Sequence, residues 1–113
     1  MKSQVDHVAI LVDDLKSAKR WYTEKLNAKT AYEDDRYVRL SLNNTILALI
    51  DRKHYKYSHI GILVENYEDL PLNLGEVTKH RDGSVGVYVK DPFGNYLEYI
   101  WYSSEEKPVF DDD

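Results

Sequence analysis

The sequence contains no cysteine, so disulfide bridges, thiolate catalysis and cysteine-ligated metal sites are all excluded. It also has no apolar run near the roughly 18 residues that a helix needs to cross a bilayer. The first ten residues lack the apolar segment of a secretory signal, and a cytoplasmic location is therefore expected.

Basic residues are outnumbered by acidic ones. The chain has 15 Lys and Arg residues against 20 Asp and Glu residues, and no basic run interrupts the acidic balance. Nucleic acids and anionic membranes are poor partners for such a chain on electrostatic grounds.

The length of 113 residues fits one domain, because single domains usually hold about 100 to 200 residues. A hydrophobic fraction of 42% is enough to build a modest core. We expect a single domain over residues 1–102, followed by an acidic tail over residues 103–113 that holds Pro108 and three terminal aspartates.

Two stretches of the chain occur twice. Residues 6–13 (DHVAILVD) match residues 58–65 (SHIGILVE), and residues 45–50 (TILALI) match residues 95–100 (NYLEYI). The pattern indicates two copies of one module, at about residues 5–50 and 57–102.

The first copy is predicted to fold as a strand, a helix and three further strands. Residues 5–12 form a continuous apolar run that is typical of a strand buried on both faces. Apolar residues then recur at helical spacing from Leu15 to Leu26, between an aspartate cap at position 13 or 14 and a stop at Asn27. Strands are expected at residues 28–33, 37–42 and 45–50.

The second copy repeats this order with a shortened helix. Residues 66–74 contain Pro71 and leave room for only a turn or two of helix. The Asp82-Gly83 pair predicts a two-residue hairpin between strands at residues 76–81 and 84–90. The last strand is expected at residues 95–102.

The repeat places His7 and His59 at equivalent positions of equivalent strands. Each histidine is followed two residues later, on the same strand face, by a small residue, Ala9 or Gly61. These small residues leave open space beside both imidazoles, where a ligand can lie.

Glu98 is the third candidate ligand, at the place that Ala48 takes in the first copy. An ionised carboxylate without a partner is expensive in a strand that otherwise reads as core, and a cation removes that cost. Two imidazoles and one carboxylate suit Fe²⁺ or Mn²⁺, which we favour, and also Zn²⁺ or Ni²⁺. The alternative is that His7 and His59 are hydrogen-bonded core residues and that Glu98 pairs with an arginine.

These histidines, together with the closing segment of residues 91–98 (DPFGNYLE), resemble the vicinal oxygen chelate superfamily over residues 5–101. That superfamily includes glyoxalase I, extradiol ring-cleavage dioxygenases, fosfomycin-resistance enzymes and bleomycin-binding proteins. The resemblance implies an α+β fold in which two βαβββ modules form a half-open barrel. It also implies that His7, His59 and Glu98 are metal ligands.

Residues 78–98 resemble the extradiol dioxygenase signature through Thr78-Lys79-His80, Val87-Tyr88, Asp91-Pro92, Gly94 and Glu98. The resemblance implies that His80 and Tyr88 lie near the substrate oxygens as hydrogen-bond donors or proton shuttles. The alternative is an exposed histidine before a tight turn and a tyrosine that only packs.

Two residues depart from the patterns of the superfamily, and one further histidine has no place in them. Ala48 stands where glyoxalase I enzymes generally have a fourth ligand, and Asn44 stands where ring-cleavage dioxygenases commonly have an acid/base histidine. His54 has basic neighbours, which indicate a solvated loop without a catalytic role.

The resemblance implies an enzyme in which a substrate with vicinal oxygens chelates the metal, with extradiol-type cleavage as the first expectation. A glyoxalase-type lyase or isomerase, a fosfomycin-type thiol transferase and a metal-free protein that sequesters a small molecule remain open. The transferase needs basic residues in the site, for which the candidates are Lys79, Arg81 and Lys90. The candidate aromatic walls are Tyr37, Tyr88, Tyr96 and Trp101.

The expected partners are a small-molecule substrate and a second copy of the chain. One module pair leaves sheet edges exposed, and exposed edges favour association, so a homodimer is predicted.

Overall fold

A computed structural model describes residues 4–103 of the chain. Within that range one α-helix accompanies a mixed sheet of eight strands, which confirms the predicted α+β class. The strands β2 and β6 each have a single neighbour, so the sheet is not closed. The elements in chain order are β1 (Gln4–Val12), α1 (Leu15–Leu26), β2 (Lys29–Glu33), β3 (Tyr37–Ser41), β4 (Ile46–Asp51), β5 (His59–Val64), a 3-10 turn (Tyr67–Asp69), β6 (Glu76–Lys79), β7 (Val85–Lys90) and β8 (Tyr96–Trp101).

The described chain divides into two compact units. The first unit contains residues 7–58, and the second contains residues 59–103 together with residues 4–6. That the whole forms one domain stays a prediction. Apart from residue 103, the predicted acidic tail lies outside the described residues. No helix among the described residues is long and apolar enough to span a membrane.

The first unit packs its helix against one face of four strands in the order β2-β3-β4-β1. The helix begins at the predicted cap, where the Asp14 carboxylate accepts a hydrogen bond from the Ser17 backbone N–H. It ends where Asn27 adopts the left-handed conformation, with φ at 53°. The helix side of the sheet buries Val38, Leu40, Leu47 and Leu49.

One expectation for this unit holds only in part. Each face of β1 has one fully buried residue, Asp6 on one face and Ala9 on the other, while residues 7, 8 and 10–12 are only partly buried and residues 4 and 5 are exposed. The physical reason is that α1 packs mainly over β3 and β4, so β1 lies at the margin of the surface that the helix covers.

The second unit has the strand order β5-β8-β7-β6, with β5 parallel to β8. The shortened helix is confirmed as the single 3-10 turn, after which Leu70 enters a core with Val64, Val85 and Val87. The hairpin between β6 and β7 is longer than predicted. The His80 backbone N–H pairs with the Ser84 carbonyl, which leaves a three-residue loop in which only Gly83, with φ at 89°, takes the left-handed region.

The parallel strand pair of each unit has the same pairing register. In the first, Ala9 of β1 is opposite Ala48 of β4, and in the second, Gly61 of β5 is opposite Glu98 of β8. The equivalence of Ala48 and Glu98 that the repeat predicts is therefore present in the strand pairing.

Candidate metal centre

Glu98 is a buried carboxylate, only 2% exposed, in the middle of β8. Its Oε2 lies 2.6 Å from Nε2 of His80, and its Oε1 lies 3.3 Å from Nε2 of His59. Two imidazoles therefore face this carboxylate, one from β5 and one from the residue that follows β6, and offset the cost of removing it from water.

The strand pairing explains why His59 reaches Glu98. His59 begins β5, and two residues later Gly61 stands directly opposite Glu98. Gly61 has no side chain to fill the space above Glu98, so the imidazole on the same strand face reaches over it. Tyr88 lies directly opposite Glu98 on its other side and places its ring edge-on to His59, with centroids 5.0 Å apart.

His80 reaches Glu98 because Gly86 lies between them. A Cβ atom on Gly86 would meet Glu98 Oε2 in a forbidden contact and would come within 2.9 Å of His80 Nε2. Gly86 is thus a site residue that the sequence reasoning missed. The available signal is a glycine in a strand interior, which often marks close approach of another group.

The turn before β8 fixes the start of the strand that carries Glu98. Oδ1 of Asp91 accepts hydrogen bonds from the backbone N–H groups of Asn95 and Phe93, both at 2.8 Å. These bonds, the one from Asn95 first, hold the pKa of Asp91 below its ordinary value. Gly94 completes the turn with φ at 91°.

Within the described residues, one group of histidine and acidic side chains meets the spatial requirement of a metal site. His7, His59 and Glu98 each offer one ligand atom, and these atoms all lie within 4.8 Å of one another. The 3.3 Å between His59 Nε2 and Glu98 Oε1 also fits. Neighbouring ligands of an ion with bonds of about 2.1 Å lie roughly 3.0 to 3.4 Å apart. This His-His-Glu cluster could hold a metal, and its donors suit the divalent ions expected from the sequence.

A sequence profile of the Glyoxalase/Bleomycin resistance protein/Dioxygenase superfamily matches residues 4–70, more than half of the chain. The chain belongs to this superfamily. It is the family that the sequence resembles, so that interpretation is confirmed. No curated protein matches the sequence significantly.

Several solved structures share the fold of this chain at low sequence identity. A hypothetical protein from Bacillus halodurans C-125 has a TM-score of 0.72 at 15% identity, over 92% of this chain and 97% of that one. Methylmalonyl-CoA epimerase from Mycobacterium tuberculosis has a TM-score of 0.70 at 16% identity, over 89% of each chain. A superfamily member from Vibrio splendidus 12B01 has a TM-score of 0.64 at 14% identity, over 89% of this chain and all of that one. At these identities the likeness supports the fold alone.

The remaining residues singled out from the sequence lie in varied places. Ala48 packs in an apolar cluster with Ala9 and Ile50, while Asn44 and His54 are exposed in loops. The interpretation of Trp101 as a wall of the site is wrong. Its ring packs edge-on to Tyr67 within the Val64 core, because residues 98 and 101 of one strand point to opposite faces.

Proposed function

We propose that this protein is a divalent-metal enzyme in which His7, His59 and Glu98 hold the ion and a substrate with two vicinal oxygens chelates it. The observation that carries the proposal is the buried Glu98 carboxylate, whose oxygen lies within 4.8 Å of a ligand atom of each histidine. The superfamily contains enzymes, which agrees with this proposal.

A bound divalent ion would supply Lewis acidity to the two substrate oxygens, and Fe²⁺ would add the redox capacity that ring cleavage needs. The chain's own contribution is to orient the carboxylate. Nε2 of His80 pairs with Oε2 of Glu98, so the other oxygen, Oε1, is directed toward the His59 imidazole. Outer partners of this kind fix the orientation of a ligand.

His80 and Tyr88 are the proposed catalytic residues. The His80 side chain is 26% exposed, against 3% for that of Glu98, so part of its ring is open to the outside of the core. A partly exposed imidazole can take up or release a proton, and the Tyr88 hydroxyl can donate a hydrogen bond to a substrate oxygen.

Among the reactions that this set permits, extradiol-type ring cleavage is the first candidate, because His80 and Tyr88 both lie beside Glu98. A glyoxalase-type lyase or isomerase would use the same ligands. A thiol transferase acting on a phosphonate would also use these ligands, together with a basic residue. Lys79 lies opposite Val85, on the sheet face away from Glu98, whereas Lys90 lies opposite Tyr96, on the same face as Glu98.

Metal analysis tests the proposal directly. Protein purified without chelators is expected to carry one divalent ion per chain, with Fe²⁺ or Mn²⁺ favoured over Zn²⁺ or Ni²⁺. Glu98→Gln should reduce the affinity by more than the roughly 10- to 100-fold that loss of an outer partner costs. Glu68→Gln removes an exposed carboxylate in the 3-10 turn and is the matched control. Equal affinity in the two variants contradicts the proposed ligand set.

The reaction class is tested after anaerobic loading with Fe²⁺ by adding catechols and oxygen and following the yellow ring-opened product. Turnover that is lost in Glu98→Gln supports ring cleavage. Metal binding without turnover of any catechol favours the lyase, isomerase or transferase reaction. Failure to bind metal favours a protein that sequesters a small molecule without a metal.

We also propose that the chain forms a homodimer. All five residues of β2 are exposed, and β2 lies at an edge of its unit. Exposed strand edges favour pairing with another chain. Light scattering at micromolar concentration should give twice the mass of 13.3 kDa, and a strictly monomeric mass contradicts the prediction.

A further inference from the structure

Arg39 is a half-buried arginine in the middle of β3. It lies directly opposite Ala48 of β4, and Ala48 lies opposite Ala9 of β1. Within residues 4–103 the Arg39 side chain forms no hydrogen bond and no ion pair. Arginine is almost never fully buried unless it is paired, so a half-buried arginine without an acceptor in this range is suited to bind one.

The register of the two units gives this arginine a distinctive place. Ala48 is the counterpart of Glu98, and the residue opposite Glu98 on the next strand is Tyr88. Arg39 is therefore the first unit's counterpart of Tyr88, a residue proposed to contact the substrate.

A β-bulge in β2 brings Tyr32 to the same face. Thr30 lies opposite Leu40, which points to the helix side, and the pairing then shifts so that Tyr32 lies opposite Arg39. In a regular strand, residues two apart share a face, so without the shift Tyr32 would point to the helix. Bulges that re-aim a side chain are frequent beside functional sites.

Tyrosines form a wall beside Arg39. The rings of Tyr32 and Tyr37 have centroids 5.4 Å apart, and those of Tyr37 and Tyr55 are 6.4 Å apart. Asp34 is the acidic residue next to this wall, and it accepts hydrogen bonds from the Tyr32 hydroxyl and from the backbone N–H of Tyr37. Asp34 therefore hydrogen-bonds to two of these tyrosines and not to Arg39. The Arg39 guanidinium can instead bind the anionic group of a ligand.

We propose that Arg39 binds the carboxylate or phosphate group of a small planar ligand, with Tyr32 and Tyr37 packing against the planar part. The guanidinium fork matches both anions, with two parallel hydrogen bonds. The ligand is taken to be the substrate, so the inference rests on the proposed function. It follows that the substrate is acidic as well as a chelator.

The spacing of the strands agrees with this assignment. His7 lies two residues before Ala9 on the same face of β1, and β3 is two strands away from β1 in the order β3-β4-β1. Two strand spacings are about 10 Å. The arginine side chain and a ligand the size of a substituted benzoate together cover that distance.

The test uses three probes on the full chain: benzoate, phenyl phosphate and the neutral benzamide. Each is titrated into metal-free protein, and binding is followed by amide chemical shifts. Arg39→Gln should weaken binding of the preferred anion at least tenfold and Arg39→Lys should weaken it less, because lysine keeps the charge without the fork. Arg36→Gln, an exposed arginine in the preceding turn, should bind like the unchanged protein. Benzamide should bind weakly and equally to all.

The two anions distinguish a carboxylate ligand from a phosphate ligand. Equal anion binding by Arg39→Gln and the unchanged protein overturns the inference, and so does the absence of binding of both anions at millimolar concentration. Metal titration of the same samples separates the two proposals. If metal binds but anions do not, only the anion site fails, whereas anion binding that depends on Arg39 without metal binding defeats only the metal enzyme. Thermal unfolding of each variant checks that it is folded.

Discussion

His80 Nε2 lies 2.6 Å from Glu98 Oε2, so a histidine outside the His7, His59 and Glu98 set fixes the carboxylate of that set. We predict that His80→Ala weakens metal binding by about 10- to 100-fold, because Glu98 loses the partner that orients it. His80→Gln should recover part of the loss, since its amide can still donate to the carboxylate. Competition with a coloured chelator measures these affinities.

His54→Gln is the control for this prediction, because His54 is an exposed loop histidine. Equal affinities for His80→Ala and His54→Gln would show that His80 does not orient the carboxylate.

Gly86 gives a second prediction about the same carboxylate. In Gly86→Ala the new methyl group would collide with Glu98 Oε2 and crowd His80 Nε2, so both side chains must move. We expect metal affinity to fall at least as far as in His80→Ala, with only a modest change in the urea midpoint.

Val87→Ala is the control, because it should lower the stability and leave the metal affinity unchanged. Val87 is fully buried in the core on the far face of the sheet, so its truncation should cost about 2–3 kcal/mol of stability. Its metal affinity should not change. If Val87→Ala loses as much metal affinity as Gly86→Ala, general loosening of the strands explains both results.

The sequence predicts the parts of this site that follow from the repeat. The equivalent places of His7 and His59, and of Ala48 and Glu98, depend only on two matching stretches of sequence, and the strand pairing has the same register. The helix ends are predicted as well, because a cap and a left-handed stop act locally.

Contacts between distant strands could not be predicted in this way. The approach of His80 to Glu98 depends on the missing side chain of Gly86, which lies on the neighbouring strand β7, two residues before the residue opposite Glu98. The face of Tyr32 depends on a one-residue shift in pairing, which reverses every side chain beyond it. The placement of Trp101 failed for a similar reason, since an aromatic residue suits either face of a strand.

The turn before β8 leads to a prediction about pH. The pKa of Asp91 is lowered in the folded chain, first by the hydrogen bond from the Asn95 backbone. A lowered pKa means that the folded state holds the proton less tightly than the unfolded state. The stability from Asp91 is therefore fully present above its ordinary pKa of 3.8 and is lost as the pH falls through the folded value.

Asp91→Asn should therefore lower the melting temperature at pH 7, and its difference from the unchanged protein should shrink as the pH falls below about 4. Asp35→Asn changes an exposed carboxylate in another turn and controls for the loss of charge. Thermal unfolding between pH 2 and pH 7 makes the comparison. A difference that stays constant over this range contradicts the assignment.

A buried hydrogen bond near the start of β1 gives the last prediction. Asp6 directly precedes His7 and is 1% exposed, and its Oδ2 accepts a hydrogen bond of 2.9 Å from the Tyr102 hydroxyl. Tyr102→Phe removes this donor from a buried acceptor, which costs about 1–3 kcal/mol. Tyr67→Phe changes an exposed ring that packs on Trp101 and should alter the stability by less than about 0.5 kcal/mol. Urea unfolding measures both variants. If Tyr102→Phe is as stable as Tyr67→Phe, the hydroxyl does not support the segment from which His7 extends.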